Sequence, residues 1–240
     1  MTAPTDYADL ELWFDASQES FANNDPVTVI TDRSANGYNT TAAVGTPLFK
    51  TGVFPLGGPA FDLDGTDDYF TLGSLGAFIT ASAFTFFAVI IVDAIDTDHS
   101  VNMYQNDCLI GVSSSVCAFG SMRSTGPVIG AYIYDVHAPV TIAYSTPYVM
   151  MNRLDGGSIY TSINGGTEAS VVSGDSGTTG DVYLGRASVA NYFNGQVGEL
   201  FIYSSVRSTG EITALNTYLS EKWISAAAPT GPPLPLRIAR

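Results

Sequence analysis

Tyr192-Phe193-Asn194-Gly195-Gln196-Val197-Gly198-Glu199-Leu200-Phe201-Ile202-Tyr203 leads, after a short connection, into Ser208-Thr209-Gly210-Glu211, and these two stretches decide the architecture. In the first, Gln196, Gly198 and Leu200 alternate with Val197, Glu199 and Phe201 before both faces turn apolar, the pattern of a strand leaving an edge and entering a core. The second is a Ser-x-x-Glu capping box: the serine oxygen satisfies an orphan amide of the first helical turn and the glutamate reaches back to the cap. A helix therefore starts at or just after Ser208. Ile212, Leu215, Leu219 and Trp223 follow at spacings of three or four and form its apolar stripe, with Thr213, Asn216, Ser220, Glu221 and Lys222 expected outside. Burial of the four apolar residues contributes roughly 1.5–3 kcal/mol each.

Upstream, nearly everything reads as strand. Leu10 to Asp15 and Val27 to Thr31 are the first two candidates, with Asn23-Asn24-Asp25-Pro26 as the turn between them. The turn Asp32 to Gly37 needs a positive φ that Asn36 or Gly37 supplies. Ala60 to Leu72 holds two short strands around the acidic turn Asp64-Gly65-Thr66-Asp67-Asp68, and Phe84 to Asp93, apolar on both faces, belongs at the centre of a sheet. Shorter segments follow at Cys108 to Val112, Val116 to Phe119, Val128 to Tyr134, Val140 to Tyr144 and Tyr148 to Asn152. Asp155-Gly156-Gly157 and Asn164-Gly165-Gly166 then carry the turn chemistry of tight hairpins. About a dozen strands and one helix predict an all-β, two-sheet antiparallel sandwich of jelly-roll type with a C-terminal helix. The expected division is a single domain over 1–225 and a Pro-rich arm over 226–240.

Composition restricts the partners. The chain has 240 residues, 45% hydrophobic and only 13% charged, which excludes a disordered bulk. A net charge of −14 argues against nucleic acid and anionic membrane surfaces. No run approaches the roughly 18–20 apolar residues of a bilayer span. The start, Met1 to Asp6, lacks the basic and apolar parts of a secretory signal, so cytosolic synthesis is the expectation. Cys108 and Cys117 are compatible with a disulfide or with two packed thiols, and no histidine cluster makes them a zinc site.

Four segments together resemble the laminin-G-like group of concanavalin A-like jelly rolls: Leu12 to Ser17, Thr31 to Gly37, Phe61 to Tyr69, and Asn194 to Tyr203 with its capped helix. The resemblance spans Leu10 to Trp223 and implies two curved antiparallel sheets. Function stays open, because relatives include glycan binders, hydrolases, adhesins and virion proteins.

Hydrolytic relatives carry a Glu-x-Asp-x-x-Glu run that sets two carboxyls about 5–5.5 Å apart. The chain has no such run, and Glu11 and Asp15, on one face of the first strand, are about 13 Å apart at the usual rise. Neither His99 nor His137 sits in a nucleophile or metal motif. The expectation is therefore a chain without catalytic residues, cofactor or assigned metal site. The acidic cluster Asp62, Asp64, Asp67 and Asp68 is the best calcium candidate, weighed against carboxylates that build a turn. Tyrosines offer sugar-stacking platforms, equally suited to cross-strand pairing, so a sugar site is unassigned.

Two functions follow as expectations. The first is a structural virion protein, most simply a phage capsid decoration (cement) protein. It would be made in the host cytoplasm, displayed on the virion surface, and docked on capsid or other virion subunits through its arm. The arm residues are Pro229, Pro232, Pro233, Leu234, Pro235, Leu236, Arg237, Ile238 and Arg240. A homo-oligomer, with a trimer as the family-level expectation, goes with this reading. The alternative is a carbohydrate-binding adhesin module of a tail fibre or cell surface; a glycoside hydrolase is a distant third.

Overall fold

The computed structural model describes residues 3–73, 83–94, 107–112, 117–123, 127–133, 136–172, 181–186 and 192–225. They form an all-β, antiparallel two-sheet sandwich carrying one α-helix. Strands are numbered in chain order. Sheet A runs β13 (Ala169–Val172), β12 (Ser158–Ile163), β11 (Pro147–Asp155), β6 (Ala83–Ala94), β15 (Asn194–Tyr203), β4 (Ala60–Asp64) and β3 (Leu48–Lys50), with β1 (Leu10–Asp15) also paired to β15. Sheet B runs β10 (Val136–Thr141), β9 (Val128–Ile133), β8 (Cys117–Arg123), β7 (Asp107–Val112), β14 (Val182–Leu184), β5 (Tyr69–Gly73) and β2 (Ala42–Val44).

The apolar run in β6 is central, between β11 and β15, and its residues from Phe84 to Val92 are all buried. On its other edge β15 divides its length: Asn194 to Val197 pair with β4, and Glu199 to Tyr203 pair with β1. The helix α1 (Thr209–Leu219) begins at the predicted capping box. Ser208 Oγ accepts from Glu211 N at 3.4 Å, and Ser208 N donates to the Glu211 carboxylate at 2.7 Å. A single π turn over Ser220–Ile224 continues it and seats Trp223, which is 1% exposed. The indole lies against Phe54 at 5.2 Å between centroids, and glycines at 58 and 198 leave it room: a Cβ on either would come within 3.0 Å of its ring.

Leu215, Leu219 and Trp223 are buried as the stripe predicted, with Ile212 half-buried. Two residues expected outside are not. Asn216 is 6% exposed, and Lys222 reaches inward to two carboxylates that are wholly buried, Asp15 at 2.6 Å and Glu199 at 2.7 Å. Glu199 also accepts from Trp13 Nε1 (2.8 Å), Tyr218 OH (2.9 Å) and Trp223 Nε1 (2.6 Å). One carboxylate thus joins the first strand, the last strand and the helix end. Burial pushes the Glu199 carboxyl up from its ordinary range and Asp15 adds repulsion, while Lys222 and Trp223 pull it back.

A second buried polar link crosses between the sheets. Asn152 on β11 accepts from Gly120 N at 3.2 Å, where a register shift interrupts β8, and donates to Thr161 Oγ1 at 2.9 Å. Thr161 Oγ1 in turn accepts from Ala131 N of β9 at 3.0 Å. These bonds satisfy amides that would otherwise be buried without partners.

Two segments differ from expectation. Val27 to Thr31 is irregular chain, because its amides go to the Pro47 carbonyl, Thr40 Oγ1 and Glu19 Oε1 instead of to a ladder. The strand expected at Val140 to Tyr144 lies earlier, over Val136–Thr141, and includes Pro139; it is an edge strand, where a missing N–H is tolerated. The left-handed residue of the Asp32 turn is Gly37, at φ +75°. Cys108 is buried opposite Ser121 in the β7–β8 ladder. Among the described residues no helix is long and apolar enough to cross a membrane.

Candidate functional site

Strand alternation sends Phe70 and Leu72 of β5, and Val182 and Leu184 of β14, into the core. Tyr69 and Tyr183 are thereby left on the opposite face of sheet B. Tyr69 packs edge-on to Tyr183 with ring centroids 5.6 Å apart, and Tyr192 lies 6.2 Å from Tyr69. The Arg186 guanidinium sits over both rings, 4.3 Å from the Tyr69 centroid and 4.5 Å from that of Tyr183. An isolated bridge between Arg186 and Tyr192 and the Phe193 N to Gly185 O bond at 2.8 Å hold this corner. All four side chains are half-buried, and Arg186 Nε, itself shielded from solvent, has no hydrogen-bond partner. Flat aromatic surface of this kind can stack against a sugar ring.

The acidic turn adjoins this platform. Gly185, at φ +94°, passes so close that a Cβ would stand 3.1 Å from the Asp68 carbonyl oxygen. Asp64, Asp67 and Asp68 each bring a carboxylate oxygen within 4.8 Å of the others. With Asp62, Gly45, Thr46 and Leu48 they line a cavity of about 390 Å³. Gly45 is required here, since a Cβ would lie 2.3 Å from Asp68 Oδ1. The carboxylates also serve the backbone: Asp64 Oδ1 accepts from Thr66 N at 2.8 Å, and Asp68 accepts from Thr46 N at 2.6 Å and Asp64 N at 3.2 Å. Asp62 points elsewhere, accepting from Gln196 Nε2 at 2.7 Å and pairing with Lys50 at 3.7 Å. Burial pushes the Asp68 carboxyl up, the amides of Thr46 and Asp64 lower it, and the charges of Asp64 and Asp67 raise it further. The three aspartates could hold a hard cation, and they build the turn in any case.

The carboxylate partner of Asp15 is Glu199, its neighbour across the β1–β15 ladder, and not Glu11. Both are sealed from solvent and share one lysine, so the pair is a clamp within the fold. The expected docking residues Pro229 to Arg240 lie outside the described residues.

Sequence reasoning singles out neither Arg186 nor the grouping of Tyr69, Tyr183 and Tyr192. The signal is partial: alternation places Tyr69 and Tyr183 opposite core residues, whereas adjacency with Tyr192 and Arg186 depends on sheet pairing.

No protein-family model matches the chain, and no curated protein matches it significantly. Solved structures do share its fold. Domain 4 of AbnA, a GH43 extracellular arabinanase from Geobacillus stearothermophilus, in complex with arabinotriose, is 15% identical with a TM-score of 0.58; the match covers 81% of this chain and 100% of that one. Trypanosoma rangeli sialidase in complex with 2,3-difluorosialic acid is 15% identical with a TM-score of 0.56, over 92% of this chain and 34% of the sialidase. The chain therefore spans about a third of the sialidase's length. These likenesses establish the β-sandwich fold and no more. They also correct the expectation of a non-enzyme: the fold occurs within an arabinanase and a sialidase, so lacking one acid-pair motif does not separate the chain from hydrolases. Neither structure is a virion protein, and the capsid-decoration reading gains no support from them.

Proposed function

We propose that the domain is a laminin-G-like, carbohydrate-binding sandwich that holds glycans on the platform of Tyr69, Tyr183, Tyr192 and Arg186. The observation that carries this reading is the clustering of three half-buried tyrosine rings around the Arg186 guanidinium, with Tyr69 and Tyr183 on the face of sheet B turned away from the core. The AbnA domain, matched over its whole length and captured with arabinotriose, supports the ligand class.

A glycan array probed with and without calcium tests it. Reproducible binding is expected, weakened roughly 2- to 12-fold by Tyr183→Ala if one aromatic contact is lost, with the melting temperature close to the parent's. A calcium requirement would bring Asp64, Asp67 and Asp68 into the site. A blank array, or binding indifferent to both Tyr69→Ala and Tyr183→Ala, removes the reading. Incubating bound glycans and analysing the products shows whether binding leads to cleavage.

A further inference from the structure

Asn-Gly occurs three times in the chain, at Asn36-Gly37, Asn164-Gly165 and Asn194-Gly195. The pair is chemically weak, because glycine has no Cβ to keep its amide nitrogen from closing a five-membered ring on the preceding carboxamide. Whether the ring closes depends on the fold. The pair must be accessible, the glycine N–H must not be committed to a carbonyl, and the carboxamide nitrogen must be free to leave.

The three sites meet these conditions unequally. Gly195 is buried in β15, paired with Leu63 on one side and Val92 on the other, and a Cβ there would collide with Ile91 O. Its backbone is confined by the ladder. Asn36 is exposed, yet its Nδ2 donates to Leu10 O and Glu11 O, both at 3.0 Å, and to Glu11 Oε2 at 3.4 Å, so the leaving nitrogen is tied to β1. Asn164, in the turn between β12 and β13, differs on each count. It and Gly165 are exposed, and both adopt positive φ, +51° and +67°. Gly165 has room to move, its nearest neighbour being Asn216, 3.7 Å from where a Cβ would stand. Among the described residues neither Asn164 Nδ2 nor Gly165 N has a hydrogen-bond acceptor. The bond to the carboxamide falls on its other end, where Val149 N donates to Asn164 Oδ1 at 2.8 Å. That donor polarises the carbonyl and faces the oxygen on which negative charge develops as the ring closes.

We infer that Asn164 is a site of spontaneous deamidation selected by the fold. Gly165 N attacks Asn164 Cγ: the N–Cγ bond forms, the Cγ–Nδ2 bond breaks, and ammonia leaves with the proton that the Gly165 amide gives up. Water then opens the succinimide, at the side-chain carbonyl to give aspartate or at the main-chain carbonyl to give isoaspartate. Either product adds a negative charge to a chain already at −14. Aspartate keeps the acceptor for Val149 N. Isoaspartate lengthens the backbone by one carbon, so the 2.7 Å bond from Asn164 N to Val149 O and the bond to Oδ1 no longer fit together, and this end of the β11–β12 pair loosens.

Peptide mapping of the full chain, held in mildly alkaline buffer and sampled over time, follows the amide-to-acid mass gain at each Asn-Gly pair. In the folded chain the peptide holding Asn164 should convert several-fold faster than those holding Asn36 and Asn194. In guanidinium chloride, where only the local sequence acts, the three rates should converge. Asn164→Gln, which would need a six-membered ring, should remove the fast conversion. Equal rates in the folded chain, or a lead for Asn36 or Asn194, overturn the inference; so does a lead for Asn164 that persists undiminished in denaturant, because the fold would then not be selecting it. In the isoaspartate-bearing fraction the Val149 amide should exchange its hydrogen faster than in an Asn164→Asp variant, and equal exchange overturns the loosening.

Discussion

Lys222→Met isolates the clamp between the first strand, the last strand and the helix end. The lysine is the shared cation for two carboxylates with no solvent exposure, at 2.6 Å from Asp15 and 2.7 Å from Glu199. Removing one partner of a buried ion pair costs about 3–5 kcal/mol, because the remaining charge is left desolvated. For a chain of this length that corresponds to a fall in Tm of roughly 6–20 °C. The deficit should also depend on pH. Burial already holds Glu199 above its ordinary range, with Lys222 opposing the rise, so the substitution moves its folded pKa higher still. A carboxyl raised on folding contributes stability below its unfolded pKa and loses that contribution as pH rises through the folded value. The variant should therefore be worst near neutrality and recover as acid protonates Glu199. Urea unfolding at about pH 7 and about pH 4, around the unfolded glutamate pKa, measures both effects. A loss under about 1 kcal/mol at neutral pH, or a loss that is the same at both pH values, would refute the clamp.

Asn152→Ala should cost about 1–3 kcal/mol in urea unfolding by stranding the Gly120 amide and one bond of Thr161; a negligible cost would mean the two sheets do not depend on that link. Ser208→Ala removes the helix cap and should cost about 0.5–2 kcal/mol. The Ser208 hydroxyl and amide hold the Glu211 carboxyl below its ordinary range, so its contribution is present above the unfolded pKa and lost as pH falls through the folded one. Loss of the hydroxyl should move the Glu211 titration upward in NMR, and an unmoved titration would contradict the cap. Gly198→Ala would place a Cβ 2.7 Å from Phe54 Cε2 and 3.0 Å from the Trp223 ring, and should cost about 1–3 kcal/mol with an altered tryptophan near-UV signal.

Features held by neighbours along the chain are legible in the sequence. The Ser208/Glu211 cap, the glycine turns after Asp155 and Asn164, and the apolar run of β6 need only residues close by. Val27 to Thr31 reads as a strand because all five residues are β-branched, yet Thr40 and Glu19 take amides that a ladder would have used. Helical periodicity places Lys222 outside, since it assigns charge to solvent, and cannot foresee carboxylates delivered by Asp15 and Glu199. The candidate site is the least legible part: Tyr69 lies far along the chain from Tyr183, Arg186 and Tyr192, and the pairing of β5 with β14 and the Arg186–Tyr192 bridge bring them together.

The Glu199 clamp also bears on the order of events during synthesis. Asp15 leaves the ribosome early, Glu199 late, and Lys222 later still, so a nascent chain that has released Glu199 but not Lys222 carries both carboxylates without their shared lysine. A chain that stops before Lys222 should be easier to unfold and to cleave, by at least the roughly 3–5 kcal/mol that the lysine contributes. The clamp would then make a late gain in stability coincide with emergence of the helix end.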